Sequence, residues 1–362
     1  LKKSLFDYLK RIVSQTTNIA QFISGGEDTR LLSAMLQNTR RDAFIFLDNM
    51  NREGKIAEKV SKIYGANFKL FTRGKLHYLE ILNDCSELVG SGAQYFHAHT
   101  YGFHKNCNLQ KYTAVFGGLF SDALLKGTRI KKIGRTGKLP LLPELKNKNY
   151  SAEHQLENFL FNEDSLSELR ERRKAHLELI KSFRSQSVEE WFELWPSSMN
   201  SSIPNIHANR RLFRSYEPFM SNEVVKIAAI VPQKWKLNRK LFHIMAKPFF
   251  QPTKWVMHGG GWFPYYSWKS KSIVFPIVYI YRKIGKIVGY NKGNQGPWLE
   301  WNVVITSQKW FNNVKEYSAG VKKLNPVLAI GEEEFIKEIN NNFLSIQQRV
   351  NMLQTLYFNT KI

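Results

Sequence analysis

Cysteine is almost absent from this chain of 362 residues, which contains only Cys85 and Cys107. The two form no C-x-x-C pair, so a disulfide framework is not indicated. His97, His99 and His104 stand near Cys107, but no second cluster of ligands accompanies them, so a structural zinc site is not indicated either. No secretory leader is recognisable ahead of the first amphipathic segment. These absences favour a globular protein of a reducing compartment, and we expect it to be cytoplasmic.

Acidic residues are scarce beside basic ones, with 30 Asp and Glu against 53 Lys and Arg and a formal net charge of +23. Such a surface attracts polyanions, which include nucleotides, nucleic acid, anionic lipid headgroups and acidic polysaccharide precursors. The basic residues are spread along the chain, so a dedicated nucleic-acid binder is not expected. With 43% hydrophobic residues the chain can bury one large core or two modest ones.

Short apolar segments alternate with amphipathic ones in the first part of the chain. The pattern predicts strands at 18–23, 42–47, 67–71 and 112–116, with helices between them, such as the one at 53–64. Each strand is too uniformly apolar to face water on one side. This indicates right-handed crossovers and an α/β fold whose parallel, doubly wound sheet is covered on both faces. Ligands bind at the carboxyl ends of the strands in such sheets.

The rest of the sequence favours helices and loops. We predict a surface loop at 134–148, a charged helix at 152–184, a tryptophan-bearing helix at 189–195, two helices around Pro218 within 210–232, and a helical tail at 332–358. The predicted organisation is one domain over 1–265, with a charged helical insertion near 150–200. A basic, aromatic and mostly helical region follows at 266–362.

The segment Ser24-Gly25-Gly26-Glu27-Asp28-Thr29-Arg30 follows the first predicted strand directly. Glycines at this place let backbone N–H groups approach phosphate oxygens, while the next helix presents its positive end. Ser24 and Thr29 add hydroxyl donors, and Asp28 fits beside phosphate where Mg²⁺ lies between the two anions. The fourth predicted strand runs into Gly117-Gly118, which puts a second glycine turn at the same edge. A plain strand-to-helix turn with a helix cap is the alternative.

The pattern Ser-Gly-Gly-x-Asp-Thr-Arg after an apolar strand resembles the pyrophosphate-binding loop of N-type ATP pyrophosphatases, specifically the synthetase domain of the asparagine synthetase family. Three further segments are similar to that family in the same order. They are Glu53 with Ala57, the run from Gly118 to Gly127 that contains Asp122, and Tyr216-Glu217-Pro218-Phe219-Met220 followed by Val231-Pro232. The resemblance covers residues 18–245.

The resemblance implies an adenine nucleotide alpha-hydrolase-like fold and an AMP-forming carbon–nitrogen ligase. Such an enzyme activates a carboxylate with ATP as an acyl-adenylate, and ammonia or an amine then forms the amide. Pyrophosphate contacts are implied at Ser24, Gly25, Gly26, Asp28 and Thr29, Mg²⁺ ligation by Asp28 and Asp122, and adenosine contacts near Phe22, Phe46 and Gly117. The carboxylate is left open between aspartate, a uronic acid of a surface-polysaccharide precursor and a peptide side chain.

The chain also departs from the family pattern. Leu119 and Ala123 stand where the family usually has acids, and Ser221 replaces the aspartate that ends the Pro-Phe-Leu-Asp turn. The late lysine of the family corresponds in position to Lys254 or His258, which are the candidate catalytic residues, with solvated loop residues as the alternative. A degenerate relative that binds nucleotide without catalysis therefore stays open.

Two partners are considered from the sequence. The family releases ammonia from glutamine with an N-terminal cysteine, and Leu1 cannot do this, so a separate glutaminase domain or subunit, or free ammonia, is expected. Residues 272–290 combine an apolar run with basic residues and are too short and charged to span a bilayer. They favour either a buried core helix or peripheral contact with an anionic membrane, at its inner face.

Overall fold

The computed structural model describes residues 1–130, 159–197, 202–289, 293–341 and 343–361. The predicted surface loop at 134–148 and the first residues of the predicted helix at 152–184 lie outside them. The described chain divides into two compact units. A sheet-bearing unit contains residues 1–74, 102–130 and 209–299, apart from the gap at 290–292, and a helical unit contains the other described residues. The units interleave along the sequence, so their boundaries do not coincide with the predicted boundary at residue 265.

Five parallel strands form one sheet. They are β1 (Ile19–Phe22), β2 (Asp42–Leu47), β3 (Asn67–Thr72), β4 (Ala114–Phe116) and β5 (Ser215–Tyr216), in the order β3-β2-β1-β4-β5. The predicted α/β class with a parallel sheet is confirmed. The prediction of helix around 215–216 was wrong, because β5 is an edge strand of only two residues and leaves no periodic pattern in the sequence.

Eighteen α-helices lie in the described part of the chain. They are α1 (Lys2–Val13), α2 (Glu27–Met35), α3 (Arg52–Ile63), α4 (His77–Glu80), α5 (Leu82–Val89), α6 (Phe103–Asn106), α7 (Ser121–Leu125), α8 (Glu163–Arg184), α9 (Val188–Ser197), α10 (Ile203–Leu212), α11 (Asn222–Ile230), α12 (Gln233–Lys236), α13 (Lys240–Ala246), α14 (Trp268–Ile287), α15 (Trp301–Ile305), α16 (Gln308–Glu316), α17 (Glu332–Asn340) and α18 (Ile346–Lys361). Shorter 3₁₀ turns include Pro218–Met220 and Lys247–Thr253. None of the described helices has the length and apolar character needed to cross a bilayer.

Side chains of β2 alternate between two cores. Ala43, Ile45 and Leu47 pack in one cluster with residues of α2 and α3, including Ala57. Phe44 packs in the other cluster, which includes residues from 103–115. Both faces of this strand are therefore buried, which explains why it is apolar at nearly every position.

The predicted helical tail consists of two helices, α17 and α18. Arg349 of α18 is buried, and its Nε and Nη2 donate to the carbonyl oxygens of Ile339 and Asn340 at 2.6 and 3.2 Å. These carbonyls belong to the last turn of α17, where no intrahelical partner is available. Arg349, in the first turn of α18, therefore caps the C-terminal end of α17.

Arg41 is a buried cation that ties the sheet to the helices beside it. Its guanidinium donates to Gln21 Oε1 on β1 at 2.7 Å, to the carbonyl of Leu36 at 2.6 Å and to the carbonyl of Ser33 at 2.9 Å. A longer bond of 3.2 Å reaches the carbonyl of Tyr64 at the end of α3. Burial lowers the pKa of Arg41 to about 10. The residue thus satisfies acceptors at the ends of two helices and on one strand.

We expect Arg41→Met to lower the free energy of unfolding by about 3 kcal/mol or more, because several buried acceptors would lose their donor. Urea denaturation followed by circular dichroism measures this. Arg40→Met is the matched control, since the neighbouring Arg40 is exposed and surface changes of this kind cost about 0.5 kcal/mol or less. Equal stability of the two variants would contradict the anchoring role of Arg41.

Candidate functional site

Two loops meet where the order of the strands reverses. β1 and β4 are neighbours in the sheet although β2 and β3 lie between them in the chain. The loop at 24–26 follows β1, and the loop at 117–118 follows β4. A Cβ atom placed on Gly118 would lie 3.2 Å from Thr29 Cγ2, so the second loop lies close to the first turn of α2, which begins directly after the first loop. In sheets of this order the crevice at the reversal is the usual place of a ligand.

The loop after β1 is held in shape by its own hydroxyl groups. Thr29 Oγ1 accepts a hydrogen bond from the backbone N–H of Ser24 at 3.1 Å, and Ser24 Oγ accepts one from the N–H of Gly26 at 3.1 Å. Gly26 is the N-cap of α2, so the first-turn N–H groups of that helix begin at this loop. Ser24, Gly26 and Thr29 are therefore together at the positive end of α2.

The carboxylate of Glu53 lies against two glycine backbones. Glu53 Oε1 accepts a hydrogen bond from the N–H of Gly25 at 2.7 Å, and the N–H of Gly259 donates to the carbonyl of Gly25 at 2.9 Å. Cβ atoms at Gly25 and Gly259 would lie 2.7 and 2.2 Å from Glu53 Oε2. Burial raises the pKa of Glu53, against the opposing effect of the bond from Gly25. Only glycine fits at these two positions while Glu53 keeps its place.

Lys126 joins carboxylates from both loops. Its Nζ lies 2.7 Å from Asp122 Oδ1 and 3.1 Å from Glu27 Oε1, and it also forms an ion pair with Asp28. Glu27 has a second cation, because Arg239 Nη2 lies 2.8 Å from its Oε2. The side chains of Lys126 and Glu27 are each 3% exposed, whereas that of Asp122 is 66% exposed. The predicted metal ligands Asp28 and Asp122 thus come together around an ammonium group.

The two acids at the start of α2 differ in their protonation. Burial would raise the pKa of Glu27, but Lys126 and Arg239 outweigh it and hold that pKa at about 2. Burial raises the pKa of Asp28 to about 6, because Lys126 compensates it only in part and Asp122 and Glu27 repel its charge. The two cations therefore favour the charged form of Glu27, whereas burial and the neighbouring carboxylates favour the protonated form of Asp28.

His258 faces the loop after β1. Arg30 is fully buried and donates through Nη1 and Nη2 to the carbonyls of Val256 and Met257 at 2.7 and 3.0 Å, which fixes the chain just before His258. The N–H of Gly260 donates to His258 Nδ1 at 2.8 Å, so the ring proton is on Nε2. Burial lowers the pKa of His258 to about 3. The ring is therefore neutral.

Lys254, the other candidate catalytic residue, lies elsewhere. Its Nζ is 5.9 Å from the ring centroid of Trp255, an exposed side chain. Among the described residues, no hydrogen bond or ion pair joins Lys254 to the loop at 24–26. His258 Nε2, by contrast, lies 3.9 Å from the position of a Cβ atom on Gly26. The structure thus brings His258, and not Lys254, to the loop.

The residues predicted near adenosine fall into two places. Phe22 and Phe46 are neighbours with ring centroids 5.9 Å apart, and Phe46 stacks on Phe103 at 4.2 Å. Both are half-buried and pack against the core that contains Phe44. Gly117 lies at the end of β4, and a Cβ atom there would be 2.0 Å from Glu217 Oε1.

Glu217 is a buried acid at the second loop. Its Oε2 accepts a hydrogen bond from the N–H of Leu119 at 2.9 Å, and its Oε1 has no hydrogen-bond partner among the described residues. Burial raises the pKa of Glu217 to about 7. This carboxyl therefore lies at the backbone of Leu119, the position where the resemblance would have placed an acid side chain.

The sequence did not identify four polar groups of this site, namely Lys126, Glu27, Arg239 and Glu217. Lys126 and Glu217 occur inside segments that resemble the family, but the resemblance assigns no role to either. Arg239 has the positive φ of 59° and precedes α13, which no apolar periodicity marks. A pairing rule could have suggested the contact of Asp122 with Lys126, because the two are four residues apart.

Comparisons of the sequence with protein families and with curated proteins give no match. No protein-family model matches the chain, and no curated protein matches it significantly. Among the described residues, no group of three or more His, Cys, Asp or Glu side chains is arranged to hold a metal ion.

We expect Gly259→Ala to destabilise the protein by about 1–3 kcal/mol, because the added methyl would force Glu53 away from the N–H of Gly25. Urea denaturation measures the loss. Gly296→Ala is the control, since its Cβ would make only an ordinary contact of 3.6 Å with Asn294. If Gly259→Ala cost no more than Gly296→Ala, the close approach of Glu53 would be disproved.

We expect Glu217→Gln to stabilise the protein at high pH and to change it little at low pH. The folded-state pKa of about 7 lies above the ordinary value of 4.5. The contribution of Glu217 to stability is therefore complete below pH 4.5 and is lost as the pH rises through 7. Thermal unfolding at about pH 5 and about pH 8.5 tests this. Glu58→Gln, an exposed change on α3, should show no such dependence on pH.

Proposed function

We propose that the chain binds ATP with its phosphates at the loop 24–26 and uses it to activate a carboxylate as an acyl-adenylate, with release of pyrophosphate. Ammonia or an amine then attacks the adenylate, so that an amide and AMP are formed. The observation that carries the proposal is that two glycine-bearing loops lie at the strand-order reversal, one directly before the N-terminus of α2 and the other close to its first turn. The resemblance to the asparagine synthetase family supports it.

Two cations lie at the start of α2, where they pair with carboxylates and stand close to the proposed position of a departing pyrophosphate. The N-terminus of α2 contributes its helix dipole, and Arg239 and Lys126 lie within salt-bridge distance of Glu27 in its first turn. The proton on His258 Nε2 adds a neutral donor on the side of Gly26. Donors held in place before the reaction stabilise developing negative charge without reorganisation.

The donor set fits a magnesium nucleotide. Asp28 and Asp122 offer carboxylate oxygens, and Mg²⁺ is commonly held by one or two carboxylates together with substrate phosphates. Bound there, Mg²⁺ would neutralise phosphate charge. The exposed Asp122 can turn away from Lys126 at little cost, while Lys126 keeps Glu27 as a partner. Asp28 would lose any proton it carries when it binds a metal ion, because burial raises its pKa and a cation lowers it.

Glu217 is our candidate for the acid that the sequence lacks at Leu119. Its carboxyl is bound to the backbone N–H of Leu119, and its pKa of about 7 lies where a group both accepts and releases a proton readily. We propose that Glu217 takes a proton from the attacking amine. The role of proton acceptor is thus assigned to a residue that directly follows β5, and not to a residue of the loop after β4.

A second candidate function is nucleotide binding without catalysis. It is favoured by the ion pairs of Lys126, because an ammonium group lies between the two carboxylates that would hold the metal ion. Leu119 and Ala123 favour it as well. Both functions share the nucleotide and differ in pyrophosphate release.

The test is pyrophosphate release from ATP and Mg²⁺ in the presence of ammonium and a panel of carboxylates, namely aspartate, glutamate and uronic acids. We expect release that depends on one carboxylate class, and we expect Asp28→Asn to lower it about a hundredfold or more. Glu58→Gln serves as the control variant. ATP binding by calorimetry is measured in parallel.

Each other outcome has a definite meaning. ATP binding without release from any carboxylate would support the non-catalytic candidate and reject the ligase. Absence of ATP binding would reject both. Release that survives Asp28→Asn unchanged would remove Asp28 from the proposed site.

A further inference from the structure

Helix α14 exposes a continuous apolar stripe. Five isoleucines recur at alternating spacings of four and three residues, which places them on one side of a helix. Their side chains are exposed as follows: Ile273 69%, Ile277 63%, Ile280 57%, Ile284 55% and Ile287 79%. The described residues of this unit therefore leave a long hydrophobic face in contact with water, and faces of this kind mark interaction sites.

The opposite side of α14 packs on its own unit. Val274, Val278, Arg282 and Gly285 are half-buried or buried and recur at helical spacing. A Cβ atom on Gly261 would lie 2.9 Å from Val278 Cγ1 and 3.1 Å from Arg282 Nη1, so this side is in close contact with the glycine segment that follows His258. The prediction of a buried core helix was therefore wrong for the isoleucine side, and the helix is attached to the unit by its other side.

The charge around the stripe has one sign. Lys283 and Lys286 are exposed on the same helix, and no acidic residue occurs anywhere between Glu223 and Glu300. Tyr279 and Tyr281 are 58% and 61% exposed, and tyrosine is enriched where apolar lipid meets water. Long lysine side chains can reach from such a helix to anionic headgroups.

We propose that α14 lies in the surface of an anionic lipid bilayer, with the isoleucine stripe against the acyl chains and the lysines among the headgroup phosphates. A wide apolar face beside basic residues, on a helix of 20 residues that is not apolar enough to cross a bilayer, is typical of interfacial helices. A second copy of α14 fits less well, because Lys283 and Lys286 of both copies would approach each other without an acid to compensate. The inference is independent of the nucleotide chemistry.

The experiment is co-sedimentation of the whole chain with vesicles of phosphatidylcholine alone and of equal parts phosphatidylcholine and phosphatidylglycerol. We expect strong binding to the second kind only. Ile277→Ser with Ile284→Ser should weaken binding at least about tenfold, since several buried methylene groups are lost. The Lys283→Ala, Lys286→Ala variant should bind the anionic vesicles more weakly, by about fivefold for each lysine removed. Added salt should also weaken the binding of the parent chain.

The control is Ile230→Ser with Lys234→Ala, which removes an exposed isoleucine and an exposed lysine of the same unit outside α14. It should bind like the parent chain. All changed side chains are exposed, so the variants should unfold at the same temperature as the parent.

Three outcomes would overturn the proposal. The first is absence of binding to the anionic vesicles. The second is vesicle binding that is unchanged in the Ile277→Ser, Ile284→Ser variant. This would mean that a basic surface is attracted to any polyanion. The third is self-association of the parent chain in analytical ultracentrifugation that is lost in the Ile277→Ser, Ile284→Ser variant. This would mean that the stripe binds a second copy of the chain.

Discussion

One buried ammonium group holds the two loops of the candidate site together. Lys126 Nζ pairs with Glu27 and Asp28 at the start of α2 and with Asp122 after β4. Carboxylates out of water are costly unless a cation accompanies them. Without Lys126, the acids of α2 and α7 would repel one another at the sheet edge where their loops must touch. The site geometry therefore depends on a charge that belongs to neither glycine loop.

A second buried cation extends this arrangement to the far part of the unit. Arg30 leaves α2 and binds the carbonyls of Val256 and Met257, so the position of His258 is set from the helix that begins at the loop. The glycine segment behind His258 contacts Glu53 on one side and Val278 of α14 on the other. A displacement of α14 would thus move the glycine segment, which is itself hydrogen-bonded to the loop after β1.

Much of the sheet could be predicted from the sequence, and the reason is physical. Strands β1, β2 and β4 are mostly buried, so their apolar runs are visible without knowledge of their neighbours, and Asp42–Leu47 was predicted at its observed bounds. The edge strand β3 is only half-buried, so the expectation that every strand is covered on both faces was wrong for it. The short β5 has no such run. Glu217 binds the backbone of a residue 98 positions away, a contact that no local periodicity encodes. The protonation of Asp28 and Glu217 likewise follows from burial, which a motif does not contain.

The interleaving of the two units has a consequence for how such a protein can evolve. The sheet takes its first three strands, its fourth and its fifth from three separated stretches of chain, and the helical unit occupies the intervals. Neither unit is therefore encoded by one continuous piece of a gene. A single recombined segment that carries all five strands therefore also carries the parts of the helical unit that lie between those strands in the sequence. Those parts are inherited with the sheet, and they diverge from it by substitutions and by changes of loop length.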